Sequence, residues 1–104
     1  MKGLKHDQGK LRFDLLPPLA IEELSKVLTF GAEKYEPNSW QAVEGAIERY
    51  EAALLRHLFE IKKGNHTDPE SGLPHISHVL CNAAFLAELH VKRSQSLCRS
   101  TTEE

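Results

Sequence analysis

Residues 40–64 read WQAVEGAIERYEAALLRHLFEIKKG, and the spacing inside this stretch decides the fold. Ile47, Tyr50, Leu54, Leu58 and Ile61 recur every three or four positions, and Leu55 and Phe59 widen the stripe. An apolar stripe at this period is the mark of a helix with one buried face. Glu44, Glu48 and Glu51 form an acidic row, which is ordinarily a solvated face but is also a way for helices to present carboxylates to Mg²⁺. Lys62 and Lys63 stand where the helix dipole favours cations, and Gly64 suits the left-handed residue that ends a helix. The pattern predicts a helix over 40–63, with Ser39 as its N-cap.

Working outward, Tyr35-Glu36-Pro37-Asn38-Ser39 is a turn by composition. Before it, Leu24, Val27, Leu28 and Gly31 keep helical spacing behind Pro17-Pro18, which predicts a helix over 19–34 with Glu22 and Glu23 in its first turn. Residues 1–18 read as an arm whose Phe13-Asp14-Leu15-Leu16 end docks on the bundle. After Gly64 comes a polar loop, Asn65 to Leu73. Pro74 then opens a third helix to about Arg93, with Ile76, Val79, Leu80, Ala83, Leu86 and Ala87 as its core face. Residues 94–104 read as a frayed tail. The fold class is all-α: a bundle of three main helices in residues 19–93. A chain of 104 residues buries only about 60–65% of its unfolded surface. A homo-oligomer, dimer or tetramer, is therefore expected to complete the core.

A net charge of −2 excludes the clustered basic excess of proteins that bind duplex nucleic acid or anionic lipid. No apolar run approaches the ~20 residues that span a bilayer. The opening Met-Lys-Gly-Leu-Lys-His-Asp lacks the apolar core of a secretory signal. Cys81 and Cys98 lie far apart and read as reduced thiols, Cys81 packed and Cys98 in the tail. The expected location is the cytoplasm. His6-Asp7 spells a dipeptide of metal phosphohydrolases but lacks their spaced partners. No phosphate-cradling glycine loop and no serine or cysteine nucleophile with a positioned base stand out.

The chemistry concentrates between Arg56 and Asn82. His75, His78 and Asn82, spaced i, i+3, i+7, share one side of the third helix. Two such imidazoles can converge on a divalent ion, with Asp68 and Glu70 of the loop as oxygen donors. The same pair also reads as a helix-start cap or as hydrogen-bonded core histidines. Arg56 beside His57 offers a planar fork that matches phosphate oxygens, while Arg56 and Glu60 equally read as an exposed i, i+4 pair.

Separate blocks, in order, carry a resemblance. They are Asp7-Gln8-Gly9-Lys10-Leu11-Arg12-Phe13-Asp14-Leu15-Leu16-Pro17-Pro18, Gly31-Ala32-Glu33-Lys34-Tyr35 with Asn38 and Trp40, Arg56-His57-Leu58, and Gly64 with Asp68. Glu70-Ser71-Gly72-Leu73-Pro74-His75-Ile76-Ser77-His78, closed by Asn82, completes them. Together they resemble the short phage and bacterial dATP/dGTP diphosphohydrolases over about residues 7–89. The resemblance implies a relative of the all-α MazG-like pyrophosphohydrolases, helical oligomers that cleave nucleoside triphosphates between the α and β phosphates with Mg²⁺ or Mn²⁺. Where that group usually has a Glu-x-x-Asp pair, this chain has His75-x-x-His78, and paired imidazoles favour a softer transition metal.

On this reading Asp68, His75 and His78 hold the metal, and Glu70 or Glu51 assists as ligand or base. His57 holds a phosphate or orients a ligand. Lys34 and Arg56 neutralise phosphate charge, Asn82 contacts the nucleotide, and Tyr35 and Trp40 stack on a purine base. For Trp40 an anchoring role at the helix start competes with stacking. The leading expectation is a metal-dependent enzyme that converts dGTP or dATP to the monophosphate and pyrophosphate. A non-catalytic nucleotide-sequestering oligomer and a purely structural helical oligomer are the other readings.

Overall fold

The computed structural model describes residues 8–102, with side chains through residue 97. The reading of residues 1–7 as an arm without a signal, the His6-Asp7 dipeptide, and the Cys98 thiol lie outside the described residues. The chain is all-helical, with α1 at Pro18–Lys34, α2 at Ala46–Lys62 and α3 at His75–Thr102. Among the described residues β-pairing is limited to one isolated bridge, Thr67 to Pro74. None of the helices in the described residues is long and apolar enough to cross a membrane.

α1 begins at Pro18 behind Pro17, where a missing N–H costs nothing. Glu22 and Glu23 consequently fall on the second turn rather than the first. Glu23 reaches across to α3 instead, where the Ser77 hydroxyl donates to its carboxylate at 2.7 Å. Ser77 is fully buried and Val27 is the buried residue of α1, which rests on α3 rather than on α2. The Phe13–Leu16 end of the arm does not dock. Phe13–Leu15 form a single 3₁₀ turn, Arg12 pairs with Asp14 beside it, and Leu11, Phe13, Leu15 and Leu16 all remain exposed.

The helix expected from Trp40 begins only at Ala46. Ser39–Ala42 form a 3₁₀ turn entered through Asn38 at φ 64°, and Gly45 at φ 66° interrupts the chain again. Ser39 therefore caps nothing in α2. A left-handed residue cannot continue a right-handed helix, and glycine adopts that conformation at no steric cost. Tertiary contacts hold the turn: the Tyr50 hydroxyl donates to the Trp40 carbonyl at 2.6 Å, and Trp40 stacks on Phe85 at 4.3 Å.

α2 ends as its sequence predicts. Gly64 at φ 95° donates to the Ile61 carbonyl at 2.9 Å, and Asn65 donates to the Glu60 carbonyl at 2.9 Å. These are the two bonds of a Schellman cap. A Cβ at Gly64 would meet nothing within 4 Å, so the cost of adding one lies in the backbone. Gly64→Ala should lower unfolding stability by about 1 kcal/mol, the usual cost of an L-residue in the left-handed region. A urea midpoint indistinguishable from wild type would contradict this.

The following loop is a clipped hairpin. Asp68 N–H bonds the Leu73 carbonyl and Gly72 N–H bonds the Asp68 carbonyl, both at 2.8 Å, while His75 N–H bonds the His66 carbonyl at 2.7 Å. α3 starts at His75 and runs through Thr102, well past Arg93. Its inward face is only in part the apolar one expected: Val79, Leu80 and Leu86 are half-buried. His75, Ser77, Cys81 and Asn82 are buried, whereas Ile76 is 58% exposed and Ala83 and Ala87 also face solvent. The helix turns its polar, chemistry-bearing side toward α1 and α2. Burial pushes the Cys81 thiol up to about 11, so this cysteine is an inert packing group.

Candidate functional site

α2 and α3 run antiparallel, which places His57 opposite the start of α3. His57 Nδ1 lies 2.8 Å from His75 Nδ1, so one imidazole donates to the other. The His57 ring also stacks on His78, with centroids 4.5 Å apart and planes 10° from parallel. The hairpin brings in Asp68, which sits 3.4 Å from His78 Nε2. His57, Asp68 and His75 present three ligand atoms that all lie within 4.8 Å of one another. Two imidazoles and a carboxylate, mostly withdrawn from water, form a donor set suited to a divalent transition metal.

Ser71 organises the carboxylate. Its N–H and its hydroxyl both bond Asp68 Oδ2, at 3.0 and 2.8 Å. Burial works against the Asp68 charge, but the Ser71 bonds and the adjacent histidines outweigh it and hold the carboxyl below its usual range. Burial lowers both His57 and His78, and mutual repulsion among the histidines adds to the effect.

These shifts make the fold sensitive to acid. An unfolded chain takes up the histidine protons near pH 6.5, and the metal-free folded chain takes them up only at lower pH. The histidines' contribution to stability is thus complete above about pH 6.5 and is lost as pH falls through the folded values. The depressed carboxylates act in the same direction but in a lower window. The metal-free protein should show a lower urea midpoint at pH 5.5 than at pH 7.5, and replacing His57 and His78 together with glutamine should flatten that difference.

A cleft of about 980 Å³ lies between α1, the 35–45 segment, α2 and α3, and of the cluster His78 lines it, while His57, Asp68 and His75 stand behind His78 and do not. Arg56, Glu70, His78 and Asn82 line the end near the cluster, and Trp40, Tyr50 and Phe85 line the other. Tyr50 precedes His57, and Phe85 follows His78, by seven residues. At 1.5 Å per residue the aromatic end thus lies about 10.5 Å from the imidazoles.

Most sequence-predicted residues gather here. Lys34 and Tyr35 line the cleft mouth, where Lys34 binds Glu70 at 2.9 Å and lies 5.2 Å over the Tyr35 ring. Glu70 thus faces Lys34 rather than the imidazoles. Arg56 lines the cleft without a carboxylate partner among the described residues, because Glu60 pairs with Lys63 and Asn65. Asn82 is buried and donates to the His78 carbonyl. Trp40 has one face against Phe85, which supports an anchoring role. Glu51 is exposed on α2 and lines no part of the cleft. Sequence reasoning passed over Ser71, although Asp68-x-x-Ser71 has the spacing of a side chain capping a turn.

A family model described as dATP/dGTP diphosphohydrolase, N-terminal, matches residues 1–97. The chain belongs to this family. A dATP/dGTP diphosphohydrolase of Salmonella phage PMBT28 is 40% identical over 86 residues, covering 83% of this chain and 29% of the relative. The chain therefore spans under a third of the length of the curated relative it matches. No solved structure matches it. The matched span, residues 1–97, includes the hairpin, both halves of the histidine cluster and the cleft-lining positions.

Proposed function

We propose that this chain is the catalytic helical unit of a metal-dependent pyrophosphohydrolase that converts a purine deoxynucleoside triphosphate, dGTP or dATP, to its monophosphate and pyrophosphate. One observation supports this most: His78, which borders the His57–Asp68–His75 donor group, and Arg56 line a cleft whose other end, about 10.5 Å away, is aromatic. That polarity suits a ligand with an anionic tail and a flat ring. The printed name of the phage relative agrees in substrate class.

His57, Asp68 and His75 would hold a divalent cation, with Mn²⁺ or a softer metal favoured over Mg²⁺ by the imidazoles. Such an ion polarises phosphoryl oxygens and lowers the pKa of the attacking water. Arg56 takes phosphate oxygens through its fork, with no ion pair to break first. Lys34, exposed and ion-paired with Glu70, exchanges that partner for phosphate at small cost, since exposed ion pairs contribute ~0–1 kcal/mol. Its release frees the Glu70 carboxylate beside the same cleft. The Trp40–Tyr50–Phe85 end receives the purine, and the Asn82 amide faces the nucleotide between the two ends. Water adds to the α-phosphorus and pyrophosphate leaves from it. The reaction belongs to nucleotide-pool control in the host cytoplasm. A second copy of the chain covers the exposed apolar side chains, Leu55, Phe59 and Ile76 among them.

The test incubates the chain with dGTP, dATP or GTP and Mn²⁺ or Co²⁺, then resolves the products. Monophosphate plus pyrophosphate, lost in His57→Ala, is expected. Tight nucleotide binding with no turnover under any metal would instead assign a sequestering protein, and release of intact triphosphate would reassign the bond cleaved.

A further inference from the structure

Asp68, Ser71 and His78 look at first like a nucleophile with its base, because Ser71 Oγ lies 2.7 Å from His78 Nε2. Counting hydrogens reverses that impression. A serine hydroxyl has one hydrogen to give and two lone pairs that accept. The Asp68 carboxylate 2.8 Å away has no hydrogen to offer, so the single Ser71 hydrogen must point at Oδ2. Two further contacts then require Ser71 Oγ to accept. One comes from Leu73 N–H at 3.2 Å, and the other is His78 Nε2, which must carry the hydrogen between them. All three capacities of the hydroxyl are filled, leaving no lone pair for attack on phosphorus.

The consequence falls on His78. A neutral imidazole protonated at Nε2 has its one lone pair on Nδ1. The ring cannot turn to offer Nε2 elsewhere without breaking the Ser71 bond and leaving its stack on His57, 4.5 Å away. Its ligand atoms are also absent from the group of donors close enough to share an ion, which consists of His57, Asp68 and His75. Yet His78 lines the cleft.

We propose that Ser71 is a positioning residue. Anchored on Asp68, it holds His78 in the Nε2–H tautomer, keeps that imidazole out of the metal's ligand set, and leaves Nδ1 as an acceptor for the water that attacks substrate. Ser71 thus couples the ligand carboxylate to a non-ligand histidine. This rests on the hydrolase reading for its kinetic consequence but not for the tautomer or the ligand set.

Three measurements on the full chain test it. In cobalt(II) titrations followed by visible absorption, His57→Ala should lose at least about a hundredfold in affinity, as expected for a ligand, whereas His78→Ala should lose no more than about tenfold, the low end for a residue beside the ligands. Nitrogen-15 spectra of the metal-free protein at pH 8 should show His78 protonated at Nε2, and a mixed tautomer in Ser71→Ala. With dGTP and Mn²⁺, Ser71→Ala should lower kcat about 10–100-fold with KM nearly unchanged, and Ser71→Thr, which retains the hydroxyl, should recover most of the loss. Loss of cobalt affinity in His78→Ala equal to that in His57→Ala overturns the assignment, as does a Ser71→Ala protein with unaltered kcat and His78 shifts. A wild type that takes up no cobalt overturns both this inference and the hydrolase reading. One that binds cobalt but hydrolyses no triphosphate overturns the hydrolase reading alone, and the cobalt and nitrogen measurements still decide the role of Ser71.

Discussion

Asp68→Asn is expected to lower kcat/KM for dGTP or dATP at least about a hundredfold while leaving the fold standing. The amide keeps the carboxylate's shape, and its oxygen still accepts from Ser71 N–H and Ser71 Oγ, the bonds that close the hairpin turn. What disappears is the negative charge, the one anionic donor among the three atoms that lie within 4.8 Å of one another. Loss of a residue that merely supports a ligand typically costs 10–100-fold in metal affinity or activity, so loss of the ligand charge should exceed the upper figure. The substitution also removes the charge that favours the imidazolium forms of His57 and His78, so those two should titrate lower still. An Asp68→Asn enzyme within tenfold of wild type, with normal Mn²⁺ affinity, would place the cation elsewhere.

The largest stability loss should follow Phe85→Ala. Phe85 is the joint between α3 and two elements of the far end of the cleft, stacked on Trp40 at 4.3 Å and tilted against Tyr50 at 4.9 Å. Truncating a buried phenylalanine costs 3–5 kcal/mol, and because this ring is half-buried about 3 kcal/mol is expected. In a chain whose buried described residues are few, that is a large share of a total stability of about 5–15 kcal/mol. The loss should concentrate at one end: amide exchange should accelerate in the 38–45 segment before it does at the histidine cluster. Uniform acceleration, or a urea midpoint near wild type, would contradict the joint described here.

The sequence made legible whatever local chemistry controls. Pro17-Pro18 and the glycine at 64 marked helix ends that the structure reproduces, because a missing donor and a left-handed residue act within a few positions. The break at Gly45 carried the same signal inside an apolar pattern, and there the period misled. The sequence reading missed the continuation of α3 beyond Arg93 and took that stretch for a frayed tail, although no glycine or proline lies between Arg93 and Thr102. The inward face of α3 was legible only in part. Periodicity ranks Ile76 above His75 as a core residue, yet hydrogen bonds satisfy His75, Ser77 and Asn82 inside while Ile76 points out. Likewise nothing local announces that His57 meets His75. That contact depends on where α2 and α3 cross.

The clipped hairpin between those helices works as a spacer of fixed length. One end is locked by the Gly64 cap and the other by the His66–His75 bond, so the chain from 64 to 75 has no slack to redistribute. Adding or deleting a single residue there would break one of these two locks or shift Asp68 away from His57 and His75, while leaving α2 and α3 themselves unchanged. Beyond the side chains already given roles in it, the segment's residue count is a functional parameter in its own right.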